Sequence, residues 1–426
     1  MLTKIFSPLW IIGAAGNIVA VTAVAGLIAM VALGVRLPAI ERRIGLDRVY
    51  QFHKILGPAV VLLFIAHGIL RTLHHSLQHG GTWNWSFLFY FGVQNLPLLF
   101  GHLAIYSLVI IATIALLGRH RIPFRLWKDV HFLVYPTVAV AFLHVFLESS
   151  RGLDSTRSFA ILLLLVVPLS GLYFYRWWYA VRRERNGTWV VSQLVRETRD
   201  TTTLVVSRPD GPGKFGERRA GQFAIIRVLE GNRWSDPHPF TISAAPSSPN
   251  LTFTIKSAGR FTSAVPSLAP GTAVLCEGPY GVFNVDFSNE RDVVMICGGV
   301  GITPFLSNIR HAVAIKADAR ITLLCGNRNI EDIIAMEDLN AAVEHIQLRV
   351  VHVLSKPPQS GLPASSDRII YEAGHINGEI LSRYVTSSKV SFYLCGPEKM
   401  QEAVLLALQK TLSVPRSAVR REMFFY

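Results

Sequence analysis

Up to about Tyr179 the chain runs in long apolar blocks; past Thr188 it runs in short alternating ones. Trp10 to Val35 is an unbroken apolar stretch, too long for a signal-peptide core, and reads as a retained membrane helix. Further stretches at 49–73, 98–118, 130–148 and 158–179 predict about five transmembrane spans. From Thr188 to Phe287 the pattern becomes β-prone runs such as TWVVSQLV, TTTLVVS, QFAIIRVL and LTFTIKS, broken by Gly, Pro, Asp and Asn. Short strands with regular turn signals predict an antiparallel β-barrel. Beyond Arg291 strands alternate with helices: DVVMIC and a helix from Pro304, ITLLC and a helix near Met336, LRVVHVL, then VSFYLC followed by Glu398 to Leu412. That order predicts a doubly wound parallel sheet. The expected fold is multi-domain: an α-helical transmembrane bundle over 1–183, a β-barrel over 184–287 and an α/β domain over 288–426. Pro357 to Ser366 reads as a surface loop, and no internal repeat is visible.

Composition changes this picture little, but charge orients it. The net charge of +14 over 426 residues raises the question of nucleic acid. The basic residues instead crowd the short loops beside the apolar runs: Arg36, Arg42, Arg43 and Arg48, then Arg119, Arg121, Arg125 and Lys128, then Arg176, Arg182, Arg183 and Arg185. Such loops are cytoplasmic by the positive-inside rule, so the expected partner is a lipid bilayer and not nucleic acid. The loop from His74 to Pro97 lacks Lys, Arg, Asp and Glu and carries Trp83, Trp85 and Tyr90, as an outer interfacial segment would. The expected location is the cell membrane, with the N-terminus outside and the soluble half in the cytoplasm. Cys276, Cys297, Cys325 and Cys395 form no CxxC pair and fit a reducing compartment.

Two apolar spans each carry two histidines, His53 with His67 and His131 with His144, which are 14 and 13 residues apart. Ionisable groups inside a span are costly and mark function. At about 1.5 Å per residue each pair is separated by roughly 20 Å, so two adjacent helices would present one His from each at two depths. Imidazole ligates haem iron, and the arrangement suits two b-type haems, His53 and His131 on the inner and His67 and His144 on the outer. At about 100° per residue the first pair shares a helix face, but the second is out of phase by about 140°. Pro136 lies between the latter two and offers a local distortion that would correct the phase.

In the soluble half DVVMIC runs into Gly298, Gly299, Val300, Gly301, Ile302, Thr303 and Pro304 ahead of a helix, a setting either for a nucleotide pyrophosphate or for a tight turn. Cys395, Gly396 and Pro397 form a second glycine turn at the same sheet edge. HPFTIS at 238–243, KSAGRFT at 256–262, GPYG at 278–281, GGVGITP, CGP and an aromatic terminus, in this order behind the spaced histidines, resemble the NADPH oxidase and ferric reductase transmembrane family. The resemblance covers nearly the whole chain; the oxidases usually have six spans, and this chain is expected to depart from them by lacking the first. It implies that His238, Pro239, Phe240, Thr241, Ile242 and Ser243 line the flavin of FAD. Gly259, Arg260 and Thr262 would hold its pyrophosphate, with Lys256 and Phe261 also at the cofactor, and Gly298 to Pro304 with Cys395, Gly396 and Pro397 would contact the nicotinamide nucleotide. Phe424 or Tyr426 would lie on the flavin ring, unless FFY is only a closing strand. Thr241, Ser243, Cys395 and Tyr426 are the groups expected nearest the reacting atoms.

The expected activity is transmembrane electron transfer from cytosolic NADPH through FAD and two haems to an outer acceptor. Oxygen, giving superoxide, is favoured over a ferric chelate; a haem-binding partner protein with a regulatory nucleotide domain is the reading from another class. NADPH is expected over NADH because Arg328 and no acid ends the second strand of the sheet, although Glu331 and Asp332 follow closely. A homo-oligomer or an accessory protein stays open in the pattern.

Overall fold

The computed structural model describes residues 8–35, 45–78, 94–118, 121–152, 167–168, 170–175, 178, 188–385 and 390–423. The chain divides into two compact units, residues 1–41 with 48–180 and residues 42–47 with 181–426.

The first unit holds α1 (Pro8–Val35), α2 (Leu46–Gln78), α3 (Leu96–Leu117), α4 (Phe124–Phe132) and α5 (Val134–Gly152). Among the described residues four stretches are long and apolar enough to cross a membrane: Pro8–Val35, Arg48–Gln78, Leu96–Leu117 and Leu126–Glu148. The expected fifth span, 158–179, lies largely outside the described residues; its described positions are helical. Side chains such as Ile18, Val21, Ile55, Leu62 and Ile110 stand exposed on the helix surfaces, as hydrocarbon contact would favour. Leu27, Val60, Val138 and Phe142 form a small core among α1, α2 and α5. The fourth stretch is one predicted span but two helices. Pro136 has no N–H and its ring displaces the carbonyl four residues back, that of Phe132, which is where α4 stops. Leu133 closes the turn in the tighter i→i−3 manner, donating to Val130 O at 3.1 Å.

In the second unit, β1 (Trp189–Arg196), β2 (Thr201–Ser207), β3 (Phe223–Glu230), β5 (His238–Thr241), β6 (Leu251–Lys256) and β7 (Ala273–Tyr280) pair antiparallel in the order β6-β2-β1-β7-β3-β5. A bridge between Ile242 and Phe253 brings β5 back to β6 and closes the barrel. The two-residue β4 (Arg233–Trp234) extends a hairpin from β3. Trp189, Leu204, Ile226, Leu251 and Phe253 fill the interior at alternate strand positions.

Residues 292–422 form a six-stranded parallel sheet, ordered β11-β10-β9-β8-β12-β13. Its strands are β8 (Asp292–Gly298), β9 (Arg320–Asn327), β10 (Leu348–Leu354), β11 (Ile369–Ala373), β12 (Ser391–Cys395) and β13 (Val419–Glu422). After α6 (Arg260–Ala264) in the barrel come α7 (Thr303–Ile315) and α8 (Met336–His345), which cover one face through Val293, Met295 and Cys297. The other face, through Val294 and Ile296, is covered by α9 (Gly378–Tyr384) and α10 (Glu398–Leu412). Sequence order reverses between β8 and β12, so the crevice at their carboxyl ends is the topological switch point.

Candidate functional site

The helices bring the four span histidines together in pairs. His53 and His131 face each other with ring centroids 6.0 Å apart and planes at 61°. Trp127 stacks on His131 at 5.2 Å and 6°, and its indole donates to Ala115 O on α3, pinning the imidazole from behind. The Nδ1 atoms of His53 and His131 are buried and have no hydrogen-bond partner among the described residues. His67 and His144 use Nδ1 on backbone carbonyls, Gly16 O at 3.0 Å and Pro97 O at 2.6 Å. A carbonyl only accepts, so each of these rings carries its proton on Nδ1 and leaves an Nε2 lone pair. His67 and His144 are electrostatic neighbours, so both ends of the broken α4–α5 stretch meet α2.

This donor set fits haem iron. Two metal–imidazole bonds of about 2 Å each, lengthened by the two ring radii, span the inner separation, and a carbonyl holding Nδ1 is the usual outer support of a ligating His. Gly101 makes room for the outer ring: a Cβ there would sit 2.9 Å from His144 Nδ1 and Cε1. Arg71, one helical turn beyond His67, is shared with Glu148 of α5 at 3.5 Å.

In the barrel HPFTIS and GRFT meet. His238 stacks on Phe261 at 4.0 Å and 16°, with Phe240 6.1 Å from the same ring. Burial pushes His238 below its ordinary pKa, while Asp236 and Glu230 act in the opposite direction. Strand alternation divides the motif: His238 and Phe240 face Phe261, and Thr241 lies on the other face, buried. Ile242 is spent on barrel closure. Ser243 corrects the expectation of a flavin-facing hydroxyl, because it is wholly buried and bonds to Thr252 and Thr254 inside the barrel. Lys256 pairs with Asp200 at 3.1 Å. Thr262 turns its hydroxyl onto the amides of Ala258 and Gly259, both at 2.9 Å, and so shapes the turn instead of reaching outward. Gly259 has extended backbone and open space where a Cβ would be; no contact among the described residues requires glycine there, which suits close approach of a ligand.

At the switch point three glycines press the loop onto β12. A Cβ on Gly301 would meet Cys395 O at 2.5 Å, one on Gly396 would meet Gly298 N at 3.0 Å, and one on Gly298 would meet Met400 Sδ at 2.5 Å. Gly299 differs, with φ +52° and nothing within 4 Å of a Cβ. The loop 299–302 leads through Thr303, whose hydroxyl donates to Val300 O, and Pro304 into α7, so helix N–H groups lie at its end. Cys297, Cys325 and Cys395 are register partners across β9, β8 and β12, with Cys297 and Cys325 sulfurs 3.3 Å apart. Cys395 is fully buried and burial raises its thiol well above the ordinary range, so it is not presented as a reactive thiolate.

Arg328 stands exposed at the tip of β9. The sequence does not signal its neighbour: Lys356 donates its backbone N–H to Arg328 O at 2.9 Å, which places a second exposed cation at the adjacent strand tip. Asp332 is engaged by Asn329 at 3.2 Å. Arg260 is exposed, Pro239 and Pro397 likewise, and Phe424 and Tyr426 lie outside the described residues. Gly101 and Lys356 escape a reading of sequence because each acts through a residue distant in the chain, and Trp127 because a ring four positions before a histidine forms no motif.

Residues 189–284 match an FAD-binding domain and residues 295–405 an oxidoreductase NAD-binding domain, so the second unit is a flavin and nicotinamide-nucleotide redox module. Residues 19–142 match the ferric reductase like transmembrane component. Together, in this order, these are the domain architecture of the NADPH oxidase and ferric reductase family, and the chain has that architecture.

Among curated relatives the flavohemoprotein of Bacillus subtilis (strain 168) is 22% identical over 58% of this chain and 62% of its own length. The NADPH nitrate reductase of Aspergillus niger is 34% identical over 34% of this chain and 17% of its own. The chain thus spans less than two thirds of either. The flavohem-like FAD/NAD-binding domain of nitric oxide dioxygenase from Vibrio cholerae O1 biovar El Tor aligns with TM-score 0.47 and 21% identity, over 56% of this chain and 98% of that one.

Proposed function

We propose that the protein oxidises cytosolic NADPH and delivers the electrons across the membrane to oxygen, releasing superoxide on the outer side. The observation that supports this reading is the facing of His53 and His131, whose Nδ1 atoms have no partner among the described residues, together with the commitment of Nδ1 of His67 and His144 to backbone carbonyls, in helices of membrane length. When bound, FAD would convert the two-electron hydride of the nicotinamide into single electrons, and two b-type haems would conduct them through the hydrocarbon.

The residues divide the work. The loop 298–304 and the turn 395–397 hold the nucleotide at the switch point, and Arg328 with Lys356 binds the 2′-phosphate that distinguishes NADPH, Asp332 being occupied by Asn329. The NADPH specified in the name of the nitrate reductase relative agrees with this choice. His238, Phe240 and Phe261 form the aromatic face for the flavin, with Gly259 giving its phosphates access to main-chain amides. His53 with His131 and His67 with His144 hold the haems. Arg71 directs one of its five N–H donors at Glu148, and its guanidinium would stabilise a small anion at the outer end. The basic loops support a cytoplasmic side for the module.

The test is NADPH-driven reduction of cytochrome c by the purified protein with FAD and haem, in air and under argon, with and without superoxide dismutase. Inhibition by the dismutase and loss of signal under argon are expected. Reduction unchanged by the dismutase, with faster turnover on ferric chelates, assigns the protein to ferric reduction instead.

A further inference from the structure

The helix that follows the nucleotide loop is stitched to the segment that leaves the flavin strand. Ser307 of α7, buried, donates to Ala244 O at 2.8 Å. One turn on, Arg310 donates from Nη1 to Ser243 O at 2.7 Å, while its Nε and Nη2 hold the Asp338 carboxylate in the first turn of α8. The receiving segment is itself immobilised from the barrel side: Ser243 N–H donates to Thr252 O at 2.8 Å, and the buried Arg218 guanidinium donates to Ala245 O at 2.5 Å and Ser248 O at 2.9 Å. A second strap lies alongside, where Glu197 accepts from Thr203 Oγ1 at 2.6 Å and from Ala335 N–H at 3.1 Å, just ahead of α8.

We propose that Arg310, supported by Ser307, is a positioning residue for hydride transfer, fixing the distance between the nicotinamide and the flavin. The inference rests on the reading of the module as an FAD and NADPH site. The step served is balanced within the two bound groups: the C4–H bond of the reduced nicotinamide breaks, an N–H bond forms at N5 of the flavin, and the nucleotide loses the two electrons that the flavin gains. Such a transfer needs the reacting atoms about 3–3.5 Å apart, and a displacement of about 1 Å costs about 100-fold. One partner is carried by α7 through its N-terminal loop, the other by β5. Arg310 sits two turns along the same rigid helix and bonds the carbonyl two residues past the end of β5, so it ties the two carriers directly. Only a planar fork reaches a carbonyl with one nitrogen and a carboxylate with two others. Asp338 neutralises the charge, which leaves geometry as the residue's contribution.

The experiment uses the full-length protein in detergent with FAD bound. It is mixed anaerobically with NADPH, or with NADPH deuterated at C4, and flavin bleaching is followed in a stopped-flow instrument. For Arg310→Lys we expect bleaching at least about 10-fold slower with a larger deuterium isotope effect, while FAD content, the NADPH concentration dependence and Tm stay near wild type. Ser307→Ala should move rate and isotope effect in the same direction by less. Reoxidation of dithionite-reduced protein by oxygen should not change, because the path beyond the flavin is untouched. Unaltered bleaching and isotope effect in both variants overturn the positioning role, as does a slower rate explained wholly by weaker nucleotide binding. A wild-type protein whose bound flavin NADPH fails to bleach overturns the parent reading and this inference with it.

Discussion

Gly101→Ala tests the outer histidine pair without touching a ligand. The new methyl carbon would lie 2.9 Å from His144 Nδ1 and Cε1, against about 3.4 Å for ordinary contact, so the ring must retreat from α3 by roughly 0.5 Å. Pro97 O, which fixes the tautomer of that ring, is on the same helix, so the retreat stretches the 2.6 Å bond while displacing Nε2. Overpacking of this kind costs about 1–3 kcal/mol, and disturbing the outer support of a ligating His costs about 10–100-fold in metal affinity, which is about 1.4–2.7 kcal/mol. Alanine in place of glycine returns about 1 kcal/mol of helix propensity, so global stability should change little while haem affinity falls. The assay is haem content and the reduced-minus-oxidised spectrum of purified protein, with Gly68→Ala as control, since a Cβ there meets only Ile105 at an ordinary 3.6 Å. Loss or weakening of one haem in Gly101→Ala alone is expected. Equal haem content and equal midpoint potentials in the two variants would refute the assignment of His144 as a ligand supported by α3.

Three other outcomes follow from the same geometry. His67→Leu should remove about half of the haem and leave flavin reduction by NADPH intact, read by pyridine haemochrome assay beside anaerobic bleaching; a full haem complement excludes His67 as a ligand. Arg328→Ala and Lys356→Ala should each lower kcat/KM for NADPH by about 10-fold or more and spare NADH, as expected when one charge-assisted contact of about 1.5–3 kcal/mol to a 2′-phosphate is lost; equal losses with both nucleotides assign the cations elsewhere. His352 is fully buried beside Tyr371 with neither ring nitrogen bonded, and burial pushes its pKa down from 6.5 to about 4. Because the folded value lies below the unfolded one, this stability is complete above about pH 6.5 and declines as pH falls toward 4, by about 3 kcal/mol in total. His352→Leu should flatten the pH dependence of thermal flavin release over that window, and an unchanged slope contradicts the assignment.

Periodicity carries most of this architecture because both halves bury apolar side chains with a simple repeat. The apolar run at 10–35 reads as the helix Pro8–Val35, TTTLVVS is β2, and Glu398 to Leu412 is α10 to the residue. Pro136 announces a distortion but not its place, since a proline acts on the carbonyl four residues behind it and the break falls at Leu133. β11 and α9 escape detection because IIYEA and GEILSRY are too short to show a period. Motifs were legible where chemistry and pattern coincide, as with His238, which meets Phe261, and the glycines of 298–301, which lie at the switch point. Ser243 misled because a hydroxyl in a strand gives no sign of which face it occupies, and Arg310 and Lys356 were silent because their partners lie 67 and 28 residues away.

The pairing of β8 with β12 also sets a timetable. These neighbouring strands are distant in the chain, with Cys297 and Cys395, which stand in register, 98 residues apart. During synthesis the membrane helices and the barrel are complete long before β12 leaves the ribosome, and domains fold as units at about 5–20 residues per second. On the proposed function the nucleotide crevice closes only when nearly the whole polypeptide exists. A nascent or truncated chain could then sit in the bilayer without drawing on the reductant pool, its redox chemistry waiting until the last strands have been laid against the first.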